Sequence, residues 1–331
     1  MKILITGSEG FFGSHLVEKF LSQGFEVTCF VQYNSFSSLG WLQELAPTFP
    51  EIESRIQFGD IRDIESISKA LSSVDICINL AALIAIPYSF ENPRSYFETN
   101  VLGTFNVMES CLKSNVKRVI HVSTSEVYGT PKYTPISEDH AIQTQSPYAA
   151  SKAAADHLVT SYFHSFGLPV VILRPFNLFG PRQSTRAVIP SIITQAMSQN
   201  RIKVGALTPR REFNFAPEVA NAFLNVALSE KGIGEVFNVG NGTDLSIGEV
   251  IEYVLQLTNR KCEVVQDAQR IRPNSSEVLK LQSDSTKLLK TFGWKYSNSG
   301  KDGFLERLEN TIAWYAKEEN RSKFNSKRYG I

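Results

Sequence analysis

The sequence predicts an α/β protein built on a doubly wound parallel sheet, with a smaller substrate-binding lobe toward the C-terminus. Three observations point there. Short apolar runs alternate with segments of helical periodicity through the first half of the chain. Gly7, Gly10 and Gly13 stand between the first apolar run and the first helical segment. The length, 331 residues, suits one large α/β domain with an annex.

The elements follow in order. "KILITG" reads as a strand ending in glycine, and "SHLVEKFLSQG" as a helix with a terminal glycine stop. "FEVTCFV" is the second strand and "RIQFGDIRD" a third strand with its loop. "ISKALSSV" is helical, "DICINLAA" a buried strand, and "VLGTFNVMESCLKSN" helical again. "RVIHVSTSEVYG" is a strand running into a loop, "YAASKAAADHLVTSYFHSFG" a long amphipathic helix, and "PVVILRPFNLFG" a further strand. Such alternation argues for a parallel sheet covered on both faces. Beyond about residue 180 the pattern loosens. "AVIPSIITQAMSQN" and "SIGEVIEYVLQLT" read as helices, "EVFNVGNG" as a strand and "RIRPNSSEV" as a loop. The expected division is a dinucleotide-binding domain over 1–180 that carries the catalytic residues. Residues 181–331 then form mainly the substrate lobe, with some segments returning to the main domain.

Composition narrows the function classes. The hydrophobic fraction is 42% and the charged fraction 20%, ordinary for a globular chain. A net charge of +1 gives no reason to expect a nucleic-acid partner. Cys29, Cys77, Cys111 and Cys262 are not in CxxC spacing and have no histidine cluster beside them, so buried reduced thiols are expected and no metal site. The N-terminal apolar run stops at Gly7, and no stretch reaches the roughly 18 apolar residues a membrane helix needs. No leader and no membrane span are therefore expected, and the expected location is the cytoplasm.

Gly7, Gly10 and Gly13 form GxxGxxG in a strand–loop–helix setting. The first glycine allows the tight turn, the second lets backbone approach a pyrophosphate, and the third lets helix pack on strand. The helix N-terminus, with Phe11 and Phe12 in its first turn, then faces the phosphates. An acid ending the second strand would hold the ribose 2′-hydroxyl and repel a 2′-phosphate. Here that stretch is neutral through Gln32, Asn34 and Ser35. NADP is therefore favoured over NAD, although no phosphate-binding arginine stands there either.

Tyr148 and Lys152 form YxxxK, and their four-residue spacing puts both on one helix face. A phenol with pKa near 10 is a poor base at neutral pH. A nearby ammonium, together with the positive nicotinamide ring, would stabilise the phenolate and lower that value.

With the glycine loop, Asp60 in "GDIRD", "NLAA" at 79–82, Ser123-Thr124 and YxxxK in place, the chain resembles the extended short-chain dehydrogenase/reductase family over essentially its whole length. The resemblance implies a Rossmann-type fold. It also implies that Asp60 and Ile61 lie at the adenine, and that Leu80, Ala81 and Ala82 line the cofactor cleft. "STSEVYG" at 123–129 is similar to the Thr-x-Glu signature of nucleotide-sugar 4,6-dehydratases, whereas epimerases of the family usually lack the acid. Where the dTDP-glucose type has an aspartate, this chain has Ser125, as in the GDP-mannose type. A serine is too weak an acid to replace a carboxyl group, so Glu126 would have to serve as both base and acid.

The resemblance therefore implies a cycle. Tyr148, with Thr124 and Lys152, takes the C4 hydroxyl proton as hydride leaves C4. Glu126 promotes loss of water across C5 and C6. The hydride then returns to C6, giving a 4-keto-6-deoxy sugar and a regenerated, tightly bound cofactor. "TSE" also occurs in UDP-glucuronate decarboxylases, so decarboxylation and 4-epimerisation stay as alternatives; outside enzymes, the alternative is a dinucleotide-binding sensor or scaffold. On the substrate side, Thr124, Ser125, Asn177, Arg211 and Arg272 match the family's sugar- and phosphate-binding positions. "RREFNFAPEVA" departs from the family pattern at Pro217. The apolar stretch 83–88, "YNSF" and "RIRPNSSEV" resemble dehydratases acting on N-acetylglucosamine nucleotides in the making of legionaminic acid and related sugars. The family resemblance also implies a homodimer through helices flanking the active site, the YxxxK helix among them.

Overall fold

Continuous apolar runs build the centre of the protein. In the computed structural model, which describes residues 1–267, 270 and 277–324, seven strands pair in parallel. They are β1 (Lys2–Thr6), β2 (Glu26–Gln32), β3 (Ile56–Gly59), β4 (Ile76–Asn79), β5 (Arg118–Val122), β6 (Val170–Pro175) and β7 (Val236–Val239). Their order is β7-β6-β5-β4-β1-β2-β3. The chain winds outward from β1 to β3, then starts again at β4 on the other side. Ligands bind in the crevice outside the carboxyl ends where the order reverses.

Successive residues of β1 face opposite sides of the sheet. Ile3 and Ile5 enter one core and Leu4 the other. The first core is closed by α1 (Phe11–Ser22) and α4 (Ala216–Leu228), where the Phe12 and Phe223 rings meet edge to face at 5.0 Å. The second is closed by α2 (Gly103–Lys113) and α3 (Pro147–Phe166), with Val107, Met108, Val159 and Tyr162 buried. Helix α3 begins where the Ser146 hydroxyl accepts the Ala149 amide proton (3.1 Å) and Pro147 occupies the first turn. It ends at Gly167 with φ +70°.

The second lobe has its own core around Ile192, Ile193, Val250, Val254, Leu308 and Tyr315. Its small sheet orders Asp244–Ser246, Arg210–Glu212 and Lys280–Leu281. The helix Ile247–Thr258 opens with a reciprocal Ser246–Glu249 capping box.

The run "EVFNVGNG" contains β7, which pairs with β6 in the main sheet. Two features differ from the sequence expectation. Two unanticipated helices, α4 and Gly300–Ala316, carry much of the packing. Cys29, Cys77 and Cys111 are buried as expected, whereas Cys262 is half-buried. Among the described residues no helix is long and apolar enough to cross a membrane, and no cluster of three metal-ligating side chains occurs.

Candidate active site

The glycine loop lies between β1 and α1, at the reversal point of the sheet. Gly7 takes φ +67°, and a methyl group placed on it would sit 3.0 Å from the Ala81 Cα. At Gly13 an added Cβ would lie 2.1 Å from the Gly7 carbonyl oxygen, so loop and helix meet where no side chain fits. Gly10 is the N-cap of α1, leaving the first-turn amides from Phe11 onward without intrahelical acceptors. A dinucleotide pyrophosphate fits this cradle on steric and electrostatic grounds. The Phe12 side chain is buried in the core, so only its backbone can serve the loop.

Other expected cofactor residues are arranged less uniformly. The Thr6 hydroxyl accepts both the Leu80 and Ala81 amides (3.0 Å each), fixing the loop after β4, with half-buried Ala82 next to it. Asp60 is held by Arg62, whose Nε lies 3.0 Å from Oδ1 and whose Nη2 lies 2.6 Å from Oδ2. That hydrogen bonding keeps the Asp60 carboxyl below its ordinary range. Asp60 is thus engaged by a neighbouring cation while part of its carboxylate stays exposed. Ile61 is buried and its carbonyl accepts from Asn106 (3.1 Å). Gln32 and Ser35 are exposed, whereas Asn34 builds its own turn: its amide donates to the Gln32 and Ser38 carbonyls, and its Oδ1 accepts from the Ser38 amide.

The residues expected to react gather at the ends of β5 and α3. Thr124 leads from β5 into the short helical turn Ser125–Tyr128, and its hydroxyl accepts the Glu126 amide (3.2 Å). The same Thr124 side chain lies near the Tyr148 phenol and lowers its pKa. Burial pushes Tyr148 up, Thr124 draws it back, and the nearby Glu126 carboxylate adds to the push. Glu126 is half-buried, whereas Ser125 is 1% exposed. Leu83 and Tyr88 pack with buried Ile86 and Tyr96 around Tyr148, so the apolar stretch 83–88 does adjoin the reacting phenol.

Lys152 departs from the simple expectation that it lowers Tyr148 directly. Its ammonium donates to the Val122 carbonyl (2.7 Å). Burial brings Lys152 down to about 8, with Asp156 opposing. The spacing of Tyr148 and Lys152 did place both at one site, but the carbonyl of the neighbouring strand takes the ammonium.

On the substrate side, Asn177 is half-buried and its carbonyl accepts from the Asn214 amide (2.8 Å). Arg211 is 5% exposed and its Nη2 pairs with Glu277 (2.9 Å). It is thus a buried cation with a carboxylate partner. Arg272 lies outside the described residues.

Three contributors were not singled out from sequence. Asn100 sits in a π-helical turn, Phe97–Leu102, that runs into α2. It accepts the Leu83 amide (2.8 Å) and donates to Ser151 (2.9 Å), tying the apolar wall to α3. Asp156 accepts from Ser123 (2.8 Å) and from Arg174. Glu9, within the glycine loop, accepts the Gln32 amide (3.0 Å). Asn100 follows Glu98 and Thr99 in a mixed segment that gave no signal for it.

Comparison with known proteins agrees with this arrangement. The model of the family described as GDP-mannose 4,6 dehydratase matches residues 4–306. The chain is similar to the low-salt glycan biosynthesis protein Agl12 of Haloferax volcanii, with 32% identity over 95% of this chain and 98% of that protein. It is similar in structure to the dTDP-glucose 4,6-dehydratase DesIV of Streptomyces venezuelae, solved with NAD bound. There the TM-score is 0.87 and the identity 29%, over 99% of this chain and 100% of that one. UDP-glucuronic acid 4-epimerase of Bacillus cereus, in complex with UDP-glucuronic acid and NAD, superposes with TM-score 0.85 at 27% identity, over 96% and 99%.

Proposed function

The chain belongs to the GDP-mannose 4,6-dehydratase family, and on that footing we propose that it is a nicotinamide-dependent nucleotide-sugar 4,6-dehydratase. One observation carries this reading within a fold shared with epimerases. Thr124 accepts the Glu126 backbone amide, and both the Thr124 side chain and the Glu126 carboxylate act on the Tyr148 phenol, the first lowering and the second raising its pKa, which puts a carboxylate near the base that opens the reaction.

A bound nicotinamide supplies a reversible hydride acceptor. The chain's own residues do the rest. Tyr148 takes the proton of the C4 hydroxyl, and Thr124 aligns it. Lys152, whose ammonium is held by the Val122 carbonyl, contributes positive charge to the site as a whole. Once C4 is a ketone, the C5 hydrogen is acidic, and Glu126 removes it and returns it to the departing C6 hydroxyl. Return of the hydride to C6, with a proton to C5, gives the 4-keto-6-deoxy sugar.

The sugar we favour is an N-acetylglucosamine nucleotide. Leu83, Ile86 and Tyr88 make an apolar wall near Tyr148 that suits an acetyl methyl group. Arg211 and Asn177 would lie toward the diphosphate, which requires a diphosphate to compete with Glu277 for the guanidinium. We place a second copy of the chain against α2 and α3, where Leu102, Phe105 and Phe166 are 47%, 39% and 57% exposed.

The test is mass spectrometry of a nucleotide-sugar panel incubated with the purified protein. The panel contains UDP- and GDP-N-acetylglucosamine, GDP-mannose, dTDP-glucose and UDP-glucuronate. Loss of one water from a single member is the expected result. Unchanged mass with altered NMR couplings would establish a 4-epimerase instead, the activity named for the Bacillus cereus neighbour. Loss of carbon dioxide from UDP-glucuronate would establish a decarboxylase.

A further inference from the structure

We propose that Glu9 replaces the acid missing from the end of β2, accepting the adenosine ribose 2′-hydroxyl on its Oε2 and so selecting NAD over NADP. The inference rests on the nicotinamide-dinucleotide part of the functional reading and on nothing about the sugar.

In a doubly wound sheet the pyrophosphate lies at the N-terminus of α1, and the adenosine ribose lies outside the carboxyl end of β2. β2 ends at Gln32, which is neutral and exposed. Judged on β2 alone, nothing there would repel a 2′-phosphate, which is why the sequence favoured NADP. Glu9 changes that picture because it touches both places. Its backbone is in the glycine loop immediately before the N-cap Gly10, and its Oε1 accepts the Gln32 amide at 3.0 Å.

The position of Glu9 is fixed from three sides. The hydroxyl of the preceding Ser8 donates to the Phe30 carbonyl in β2 (3.2 Å). The Trp41 amide donates to the Glu9 carbonyl (3.0 Å). Gly40 closes over the same carbonyl so tightly that an added Cβ would lie 2.5 Å from it. The side chain is thus held at the end of β2 and does not sweep through solvent.

Its second oxygen, Oε2, is buried and has no hydrogen-bond partner. A carboxylate accepts through both oxygens, and a buried acceptor left unmade is costly. A ribose hydroxyl supplies the missing donor. A 2′-phosphate supplies no donor there and sets like charge against like in a partly dehydrated site. Burial raises the Glu9 carboxyl above its ordinary value, the Gln32 amide opposing, so the group gains from any further donor.

Glu9 could instead serve only to hold Gln32. Glu9→Gln separates the two roles, because its amide oxygen can still accept the Gln32 amide while the other atom becomes an NH₂ donor. The experiment has two parts, neither using a sugar nucleotide. The nucleotide released from the purified full chain by heat is identified by mass. NAD and NADP are then titrated calorimetrically into protein freed of it.

NAD is the expected released nucleotide, and wild type should bind it tighter than NADP. Glu9→Gln should weaken NAD by roughly ten- to a hundredfold, the worth of one hydrogen bond to a charged group, and narrow the NAD:NADP ratio. An unchanged ratio in Glu9→Gln would overturn the inference. So would wild-type protein that carries NADP or binds it as tightly as NAD, and this decides the matter even if the variant does not fold. Binding of neither dinucleotide overturns the dehydratase reading as well, whereas a preference for NADP overturns this inference alone.

Discussion

Arg174 and Asp156 form a buried ion pair directly behind the reacting residues. Nε and Nη2 of the guanidinium lie 3.0 and 2.9 Å from the same carboxylate oxygen, Oδ2, which also receives the Ser123 hydroxyl at 2.8 Å. The pair therefore locks β6, which carries Arg174, to α3, which carries Tyr148 and Lys152, and to the residue just before Thr124.

Removing one charge from such a pair leaves the other buried without compensation. Asp156→Asn should destabilise the protein by about 3 kcal/mol or more, read from urea denaturation. It also removes the carboxylate that holds up the Lys152 pKa, which burial alone brings down. The alkaline limb of kcat/KM should then move to lower pH. A purely structural role would lower stability without moving that limb.

The two halves of the proposed chemistry should separate by mutation. Tyr148→Phe should lower kcat/KM by roughly 10²–10⁴-fold and prevent reduction of the bound nicotinamide when substrate is added. Glu126→Gln should lower product formation to a similar degree, yet still allow the absorbance of reduced nicotinamide to rise. Parent-rate product formation by Glu126→Gln would remove Glu126 from the elimination step.

Neighbouring glycines should respond unequally to the same methyl group. At Gly13 it meets the Gly7 oxygen at 2.1 Å, whereas at Gly10 the distance to that oxygen is 3.3 Å. Gly13→Ala should cost about 1–3 kcal/mol, as overpacking does, and should abolish the rise in Tm that added dinucleotide produces. Gly10→Ala should melt closer to the parent. Thermal denaturation with and without NAD checks both.

Glu212 gives a pH prediction with a definite sign. It is 0% exposed and accepts from the Ser283 hydroxyl (2.9 Å), and burial raises its pKa from 4.5 to about 7. A carboxyl raised in the folded state contributes stability below its unfolded value and loses that contribution as pH rises through the folded one. Glu212→Gln does not titrate. Its stability should therefore gain on wild type by about 3 kcal/mol between pH 4.5 and 7. A constant difference across that range would contradict the assignment.

The parallel sheet was legible because β1, β4, β5 and β6 are uninterrupted apolar runs, and no other architecture buries so many of them on both faces. The YxxxK pair was legible because the helix period puts both residues on one face, and Thr124 because it falls in a motif that resembles the family's. Helix α4 was not, because Pro217 reads as a breaker. In the structure it sits in the first turn, where its missing N–H has no partner to lose, and Glu218 beside it pairs with Arg307 (2.8 Å). Three site details were beyond reach for one physical reason, that each depends on a tertiary contact. Glu9 meets Gln32 across 23 residues, Asp156 meets Arg174 across 18, and Arg211 meets Glu277 across 66. The loop around Arg62 shows the opposite case: a two-residue spacing that pairs locally with Asp60 and was still not foreseen.

β7 gives the chain an order of assembly. Val236–Val239 hydrogen-bonds along β6, and Asn238 within it accepts the Tyr128 hydroxyl (2.8 Å), just past the Thr124–Glu126 turn. During synthesis the glycine loop, Tyr148 and Lys152 all emerge before this strand does. Until it docks, β6 is a bare sheet edge, open to pairing with any extended segment nearby. The nascent protein thus carries every reacting group while its sheet is still unfinished, and a dinucleotide that grips the early half would shield that half through the exposed interval.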